Sequence, residues 1–252
     1  MYLILSPAKK LNDHHKIEQA HIEPTQPHFL SRAEKLVETL RGFSVADLKK
    51  LMSVSDKIAE LNTERFAQFT APFTETNASP AIHRFAGDTY VGLNASDFTT
   101  EDLDFSQNHL GILSGLYGLL RPLDLMQPYR LEMGTRLKNH AGKNLYEFWN
   151  TSLSDRINEL GHNEVINLAS KEYFSALQSK NLKATVITPV FKEKRGDVLK
   201  IISFSAKRAR GMMARFAIKN RITKSVDLKA FNDDGYAYRS ELSSEQEWIF
   251  TR

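Results

Sequence analysis

Apolar residues recur along much of the chain at the spacing of an α-helix that buries one face. Over residues 29–41 they fall at Leu30, Ala33, Leu36, Val37 and Leu40, which predicts an amphipathic helix. The same reasoning predicts helices at about 44–52, 56–69, 101–109, 144–160 and 206–220. The apolar stripe of the 144–160 helix comprises Leu145, Phe148, Trp149, Leu153, Ile157 and Leu160.

Short apolar runs predict the strands. Residues 1–5 and 165–168 are typical of buried strands, and a further strand is predicted around residues 89–93. Two hairpins are predicted, one from 186–191 and 198–204 around a charged turn and one from 236–239 and 248–250. Because helices and strands alternate without a strict β-α-β rhythm, we predict one α+β (mixed α/β) domain over residues 1–252. It has a central mixed sheet with surrounding helices, rather than a doubly wound sheet.

Composition narrows the protein class. Apolar residues make up 41% of the 252 positions, which is enough for a buried core and excludes a disordered chain. The absence of cysteine excludes disulfides, thiolate zinc sites, cysteine-held iron–sulfur clusters and thiol redox switches. No run of 18 apolar residues and no signal-like N-terminus is present, so we expect a cytoplasmic protein without a membrane partner, with association with the nucleoid as a variant of that location.

The positive charge is concentrated in one segment. The whole chain has a formal charge of +4, yet residues 192–224 hold eleven lysines and arginines against two acids. Within the helix predicted at 206–220, an apolar stripe is expected at Ala209, Met212, Met213 and Phe216. Arg208, Arg215 and Lys219 are expected beside that stripe within about 40° of one another, with Lys207 and Arg210 farther round.

Like charges stacked on one helix face repel each other. Two interpretations of the basic face therefore stay open. An anionic partner, such as a phosphate backbone, would relieve the repulsion, since phosphates bind Arg bidentately and Lys as a point charge. Alternatively, the face is solvated and paired to acids from the rest of the chain.

Residues 51–59 lie between two predicted helices and resemble the hairpin of helix-hairpin-helix DNA-binding elements, L-P-G-I-G-x-x-x-A. Leu51, Val54 and Ala59 match the pattern, and Ser53 and Ser55 stand where glycines are usual. In such elements, hairpin amides and the N-terminus of the second helix receive a DNA phosphate. The alternative is an ordinary helical hairpin, whose nearby positive charges are Lys49, Lys50 and Lys57.

Motifs of catalysis and cofactor binding are mostly absent. The chain has no G-x-x-x-x-G-K-[ST], G-x-G-x-x-G, H-E-x-x-H or G-x-S-x-G pattern. Ser6 and Lys9 match S-x-x-K, but we favour a turn after the first strand, with Lys9 and Lys10 at a cleft edge. We predict no catalytic residue and no cofactor.

One polar stretch contains residue types that ligate metals. It holds His14, His15, Glu18, His21 and Glu23 within ten residues. Because no periodic apolar face would anchor it, we favour an exposed loop over a metal site.

Five strings, in order and spacing, resemble the bacterial YaaA peroxide-stress family. They are Ile-Leu-Ser-Pro-Ala-Lys at 4–9, Ser-Gly-Leu-Tyr-Gly-Leu-Leu-Arg-Pro-Leu-Asp at 114–124, Pro-Tyr-Arg-Leu-Glu-Met-Gly-Thr at 128–135, Asn-Leu-Ala-Ser at 167–170 and Ala-Lys-Arg-Ala-Arg-Gly at 206–211. The resemblance covers essentially the whole chain. A string as long as 114–124 is very improbable by chance.

The resemblance implies a single-domain mixed α/β fold with a positively charged cleft and a helix-hairpin-helix element. It further implies binding to duplex and branched DNA, survival of peroxide stress and limitation of free intracellular iron, with no established reaction. The hairpin role then falls on Ser53, Val54 and Ser55, with Lys57 beside them. The cleft role is assigned by charge to Lys207, Arg208, Arg210, Arg215 and Lys219, and to Lys9 and Lys10.

The function predicted is therefore sequence-independent DNA binding in the peroxide response. Two alternatives remain: a protein that handles ferrous iron, and an enzyme acting on a nucleic-acid or nucleotide substrate in the basic cleft. The polar groups considered for such an enzyme are Asp88, Tyr117, Arg121, Arg130 and Glu132. No particular protein partner is indicated.

Overall fold

A computed structural model describes residues 1–12 and 23–252. Within these residues, eight strands form a central sheet and two pairs of two-residue strands lie outside it. The strands are β1 (Tyr2–Leu5), β2 (Lys10–Leu11), β3 (Ser79–Pro80), β4 (Phe85–Ala86), β5 (Leu110–Ser114), β6 (Gly118–Leu120), β7 (Leu125–Met126), β8 (Glu164–Leu168), β9 (Thr185–Arg195), β10 (Val198–Lys200), β11 (Ala237–Tyr238) and β12 (Glu247–Thr251).

Ten α-helices lie in the described residues. They are α1 (Leu30–Arg41), α2 (Val45–Met52), α3 (Asp56–Gln68), α4 (Ala81–Arg84), α5 (Asp88–Leu93), α6 (Thr100–His109), α7 (Leu145–Trp149), α8 (Ser152–Glu159), α9 (Lys171–Phe174) and α10 (Ser203–Lys219). In the described parts of the chain, no helix is long and apolar enough to cross a membrane.

The central sheet is mixed, as predicted, but its inner part is parallel. The strand order is β11-β12-β9-β8-β1-β5-β6, with β10 also paired to β9. Neighbouring strands from β12 to β5 run parallel, whereas β6, β10 and β11 pair antiparallel at the margins. Numbered along the chain, the five parallel strands lie in the order 2-1-3-4-5, an order found in doubly wound sheets. The irregular succession of elements along the sequence did not predict this parallel core.

Strand β1 is the centre of this arrangement. All four of its residues are buried, as expected for a strand with parallel neighbours on both sides. Its residue Ile4 lies opposite Gly111 of β5 on one side and Asn167 of β8 on the other. The chain thus leaves β1 toward one neighbour and later returns to the other, which makes the gap between β1 and β8 a topological switch point. Such a gap is a common ligand site beyond the carboxyl ends of the strands.

Most predicted elements are confirmed within a few residues, including β1, β8, α1, α2, α3, α6, α10 and the hairpin of β11 with β12. The charged hairpin also forms, although β10 ends at Lys200 and residues 203 and 204 already belong to α10. The helix predicted at 144–160 is instead two helices. Asn150 has φ 42° and ψ −126°, which ends α7 before α8 begins. Asparagine tolerates positive φ better than most residues, so the break falls there.

The strand predicted at 89–93 is wrong, because this segment forms helix α5. Thr89, Tyr90 and Val91 have the composition of a strand, but Val91 is exposed and pairs with no neighbour. The segment packs instead on α10 through two glycines. A Cβ at Gly92 would lie 2.1 Å from the Arg208 carbonyl oxygen, and one at Gly211 would lie 1.8 Å from that of Thr89. Tertiary contact therefore overrides local propensity here.

We expect Gly211→Ala to lower the free energy of unfolding by about 1–3 kcal/mol, because the added methyl group forces α5 and α10 apart. Gly42→Ala is the matched control, since a Cβ there would meet only the Thr39 carbonyl at 3.4 Å. Urea unfolding followed by circular dichroism measures both. Equal stability of the two variants would contradict the close contact of α5 with α10.

Candidate functional site

A cavity of about 480 Å³ lies at the switch point between β1 and β8. Residues 6–10 leave the end of β1 along one wall, and Leu168 and Ser170 form the end of β8. The remaining walls come from residues 86–89, residues 129–132, Glu172, Tyr173, and Lys207 and Arg210 of α10. The fold therefore gathers segments from distant parts of the chain around the carboxyl ends of two adjacent strands.

The ends of β1 and β8 are tied together by a short hydrogen-bond network. The Ser170 amide donates to Ser6 Oγ at 2.8 Å, and Ser6 Oγ lies 3.4 Å from Ser170 Oγ. The Tyr90 hydroxyl of α5 donates to the Ser6 carbonyl oxygen at 3.0 Å. These bonds fix the turn after β1, as predicted for Ser6. They bring no lysine to its hydroxyl, because Lys9 is paired elsewhere.

Lys9 belongs to an ion-pair group on the cavity wall. Its Nζ lies 2.8 Å from Glu132 Oε2, and Arg130 binds Glu132 Oε1 at 2.9 Å. Burial by itself raises the pKa of Glu132, but hydrogen bonds and charge from Lys9 and Arg130 outweigh it and lower this pKa. The carboxylate is therefore ionised and offsets part of the positive charge of this wall.

Arg210 also lines the cavity, and it lacks such a partner. Its side chain is half-buried, and burial lowers the pKa of the guanidinium. Among residues 1–12 and 23–252, no carboxylate lies within ion-pair distance of it and no hydrogen bond is formed by its guanidinium. Lys207, one turn earlier on α10, lines the same cavity and is exposed. Arg208 is exposed as well but lies outside the cavity lining.

In the second half of α10, the cations are paired with carboxylates. Arg215 binds Asp97 at 2.6 Å and donates to the Asn94 carbonyl oxygen at 2.7 Å. Lys219 lies 2.6 Å from Asp102, which also binds Arg221 at 2.6 Å. The repulsion expected between cations on this face is therefore relieved at Arg215 and Lys219, because acids outside the basic segment neutralise both side chains. Contact of these two side chains with DNA stays a prediction.

The segment 51–59 forms a turn between α2 and α3. Ser53 has φ 52°, so a position where the DNA-binding hairpin carries glycine does adopt the left-handed conformation. Its amide and that of Val54 both bond to the Lys49 carbonyl oxygen, which ends α2. These two amides are therefore taken, and a phosphate would bond to the amides that begin α3, from Ser55 onward. Val54 is half-buried against the core.

Near this turn the charges are exposed. Lys49 Nζ lies 2.9 Å from Asp56, the first residue of α3, so the ion pair joins the two helices. Lys57 is exposed beside it without a carboxylate partner in the described chain. Asp56 in the first turn of α3 would repel a phosphate, and its pair with Lys49 partly offsets this repulsion while it partly neutralises Lys49.

The other candidate groups divide between cavity and core. Asp88, Arg130 and Glu132 line the cavity. Tyr117 is buried and donates to the Gln127 carbonyl oxygen, and Arg121 is paired with Asp124 at 2.9 Å, so both are structural. In the metal-ligand stretch, His14, His15, Glu18 and His21 lie outside the described residues. Across residues 1–12 and 23–252, no three His, Asp or Glu side chains are arranged to hold a metal ion.

Sequence reasoning missed four cavity residues, Tyr129, Ser170, Glu172 and Tyr173. Burial raises the pKa of Tyr173, and the Glu172 carboxylate accepts the Gly134 amide at 2.9 Å. A signal for two of them was present, because four of the five family-like strings contribute to the cavity lining. These are the strings at 4–9, 128–135, 167–170 and 206–211.

The chain is similar to known proteins over its whole length. A family profile described as "Peroxide stress protein YaaA" matches residues 1–242. A UPF0246 protein of Neisseria gonorrhoeae is 49% identical over 256 aligned positions, which cover 100% of this chain and 98% of the relative. UPF0246 proteins of Idiomarina loihiensis and Saccharophagus degradans are 48% and 47% identical, with 98% and 99% of their lengths covered.

The Asp102 ion pairs predict a defined pH dependence of stability. Burial by itself raises the pKa of Asp102, but hydrogen bonds from Lys219, the Thr99 amide and Arg221 outweigh it and hold this pKa at about 2. A carboxyl with a lowered pKa stabilises the fold above its unfolded pKa of about 3.9, and this stabilisation is lost as pH falls toward 2.

Asp102→Asn should therefore lower Tm clearly at pH 6–7, with a gap to the unchanged protein that narrows between about pH 4 and pH 2. Thermal melts across this pH range measure the gap. Asp104→Asn, an exposed position of the same helix, is the control and should show no such pattern. A gap that stays constant down to pH 2 would contradict the assignment.

Proposed function

The chain belongs to the peroxide stress protein YaaA family, and we propose that it acts by binding DNA through the phosphate backbone, without regard to base sequence. The observation that carries this proposal is the unpaired positive charge around the cavity mouth. Lys207 and Arg208 at the start of α10, and Lys10 after β1, are exposed and have no ion-pair partner among the described residues. Exposed, unpaired cations are the groups that bind phosphates and release counterions.

The same charge continues along the preceding hairpin. Strand β10 ends only two residues before α10 begins, and its Lys200 is exposed. Lys194, on the paired strand β9, is exposed too. By contrast, Arg195 is bound to Glu193 at 2.9 Å and Arg215 to Asp97 at 2.6 Å. The basic segment thus contains exposed cations without an ion-pair partner among the described residues, such as Lys200 and Arg208, and cations bound to acids, such as Arg195 and Arg215.

A backbone contact fits this surface better than base reading does. Specific contact to base edges relies on Asn, Gln or Arg held at set positions on a helix that enters the major groove. The exposed side chains at the start of α10 are Ser203, Phe204, Lys207 and Arg208. Lys207 and Arg208 are long, flexible cations, and neither Ser203 nor Phe204 carries the amide of Asn or Gln. Affinity should accordingly follow phosphate charge rather than sequence.

We expect the logarithm of DNA affinity to fall linearly with the logarithm of salt concentration, by about 0.9 for each phosphate contacted. Arg208→Ala should weaken duplex binding roughly three- to tenfold at low salt and reduce the slope by about 1, without lowering Tm. Fluorescence anisotropy with a labelled duplex at about 50–200 mM salt measures both quantities.

Lys35→Ala is the control for that experiment. It removes the same charge from an exposed position of α1 that lines neither the cavity nor the turn between α2 and α3. Affinity indifferent to salt, or an equal loss with Lys35→Ala, would refute the phosphate surface around α10.

The turn between α2 and α3 is proposed as a second phosphate contact. Asp56→Asn removes an acid from the start of α3 and releases Lys49 from its 2.9 Å pair, so it should tighten DNA binding about twofold. Lys57→Glu adds a negative charge at the same helix end and should weaken binding by more. If the same anisotropy titration detects neither change, while Arg208→Ala has its effect, the turn is only a helical hairpin.

A further inference from the structure

Arg210 lies in an unusual electrostatic position. Its side chain lines the cavity and is half-buried, so part of its hydration is lost, which costs free energy unless an acceptor replaces it. The described chain supplies none. Among the acids that line the cavity, Glu132 is already bound by Lys9 and Arg130, and Glu172 accepts the Gly134 amide. A half-buried, unpaired Arg that lines a cavity is suited to an anionic ligand, which it binds bidentately.

A second cation supports the same end of the cavity. Lys207 precedes Arg210 by one helical turn, so the two side chains lie on neighbouring positions of α10. The close contact of α10 with α5 through Gly92 and Gly211 fixes this part of α10 beside residues 86–89. The anionic group of a ligand would thus be met by a fixed fork and a flexible ammonium, a combination typical of phosphate sites.

The rest of the cavity accommodates more than a phosphate. Its volume of about 480 Å³ falls in the range of roughly 300–1,000 Å³ typical of small-molecule sites. Its walls include apolar side chains, among them Pro7, Ala8, Leu131 and Leu168, beside the hydroxyl groups of Ser6 and Ser170. Carboxylates stand at the cavity too, and these accept hydrogen bonds from amino and hydroxyl groups. The ligand that matches is anionic at one end, with a partly apolar body that carries hydrogen-bond donors.

We propose that this cavity binds a nucleoside monophosphate unit, with Arg210 and Lys207 on the phosphate and the base and sugar over the ends of β1 and β8. Two kinds of molecule present such a unit: a free nucleotide, and an unpaired nucleotide of a DNA strand. The strand source rests on the proposed function, because the surface around Arg208 would first bind the duplex. The free source does not depend on it.

The test is isothermal titration calorimetry of the full chain with each of the four deoxynucleoside 5′-monophosphates, with a deoxynucleoside and with inorganic phosphate. At least one monophosphate should bind with a submillimolar Kd, and the other two probes far more weakly. Arg210→Ala should weaken that binding at least tenfold, and Arg210→Lys by less, because it keeps the charge but not the fork. The matched Arg208→Ala should leave free-nucleotide binding within about twofold, since Arg208 does not line the cavity.

Two DNA arms distinguish the sources and separate this proposal from the DNA-binding proposal. If an unpaired nucleotide of a DNA strand enters the cavity, Arg210→Ala weakens the binding of a duplex with one unpaired nucleotide more than the binding of a fully paired duplex. Equal weakening of both duplexes, together with monophosphate binding, assigns the site to free nucleotides. DNA binding lost with Arg208→Ala alone would leave the cavity assignment intact.

Three results would overturn the cavity assignment. One is the absence of monophosphate binding up to several millimolar in the unchanged chain. Another is inorganic phosphate binding as tightly as the nucleotides, which would reduce the site to an anion hole. The third is unchanged nucleotide affinity in both Arg210→Ala and Arg210→Lys. Circular dichroism spectra and Tm of each variant establish that it is folded.

Discussion

The parallel pairing of β1 with two strands on opposite sides is the constraint on which the rest of the structure depends. β5 and β8 both hydrogen-bond to the same four-residue strand, and each must run in its direction. Parallel neighbours bring their carboxyl ends to one edge of the sheet, so Ser6 and Ser170 meet there although 164 positions separate them. The cavity is the space that this edge leaves open. The cavity-lining groups discussed above are arranged around it.

Helix α10 is held over that edge by backbone contact with α5. Glycines at 92 and 211 let the two helices approach until a Cβ on either would overlap a carbonyl oxygen. The contact fixes α10 as a rigid body and so directs Lys207 and Arg210 into the cavity while Arg208 faces solvent. Two arginines two positions apart on one helix thereby acquire different environments. Arg210 is half-buried and lines the cavity, whereas Arg208 is exposed and lies outside the cavity lining.

Charge is distributed by the same geometry. Asp97 and Asp102 lie just before and within α6, and they neutralise Arg215 and Lys219 in the second half of α10. Such partly buried pairs stabilise the fold only while both partners are present, because removing one leaves an unpaired charge. Lys207 and Arg208 in the first half of α10, and Lys194 and Lys200 of the β9–β10 hairpin, have no ion-pair partner among the described residues. A single basic segment thus has a structural end and an end suited to phosphate.

Much of the secondary structure could be predicted from the sequence, because the spacing of apolar residues depends only on a few adjacent turns. It predicted α1, α2, α3, α6 and α10, the buried β1 and β8, and a turn at Ser6. It also marked the basic segment and, through its family-like strings, most of the cavity wall. Where local propensity and packing disagreed, as for the strand-like residues that form α5, the sequence led to the wrong element.

Tertiary structure alone decided which cations are free. Lys207, Arg208, Arg210, Arg215 and Lys219 look alike along the chain, but the partners of the last two come from residues about 118 positions earlier. The parallel register of the sheet, and with it the cavity, likewise arises from hydrogen bonds between segments far apart in sequence. Periodicity is set by neighbours along the backbone, whereas pairing, burial and electrostatic partners are set by neighbours in space.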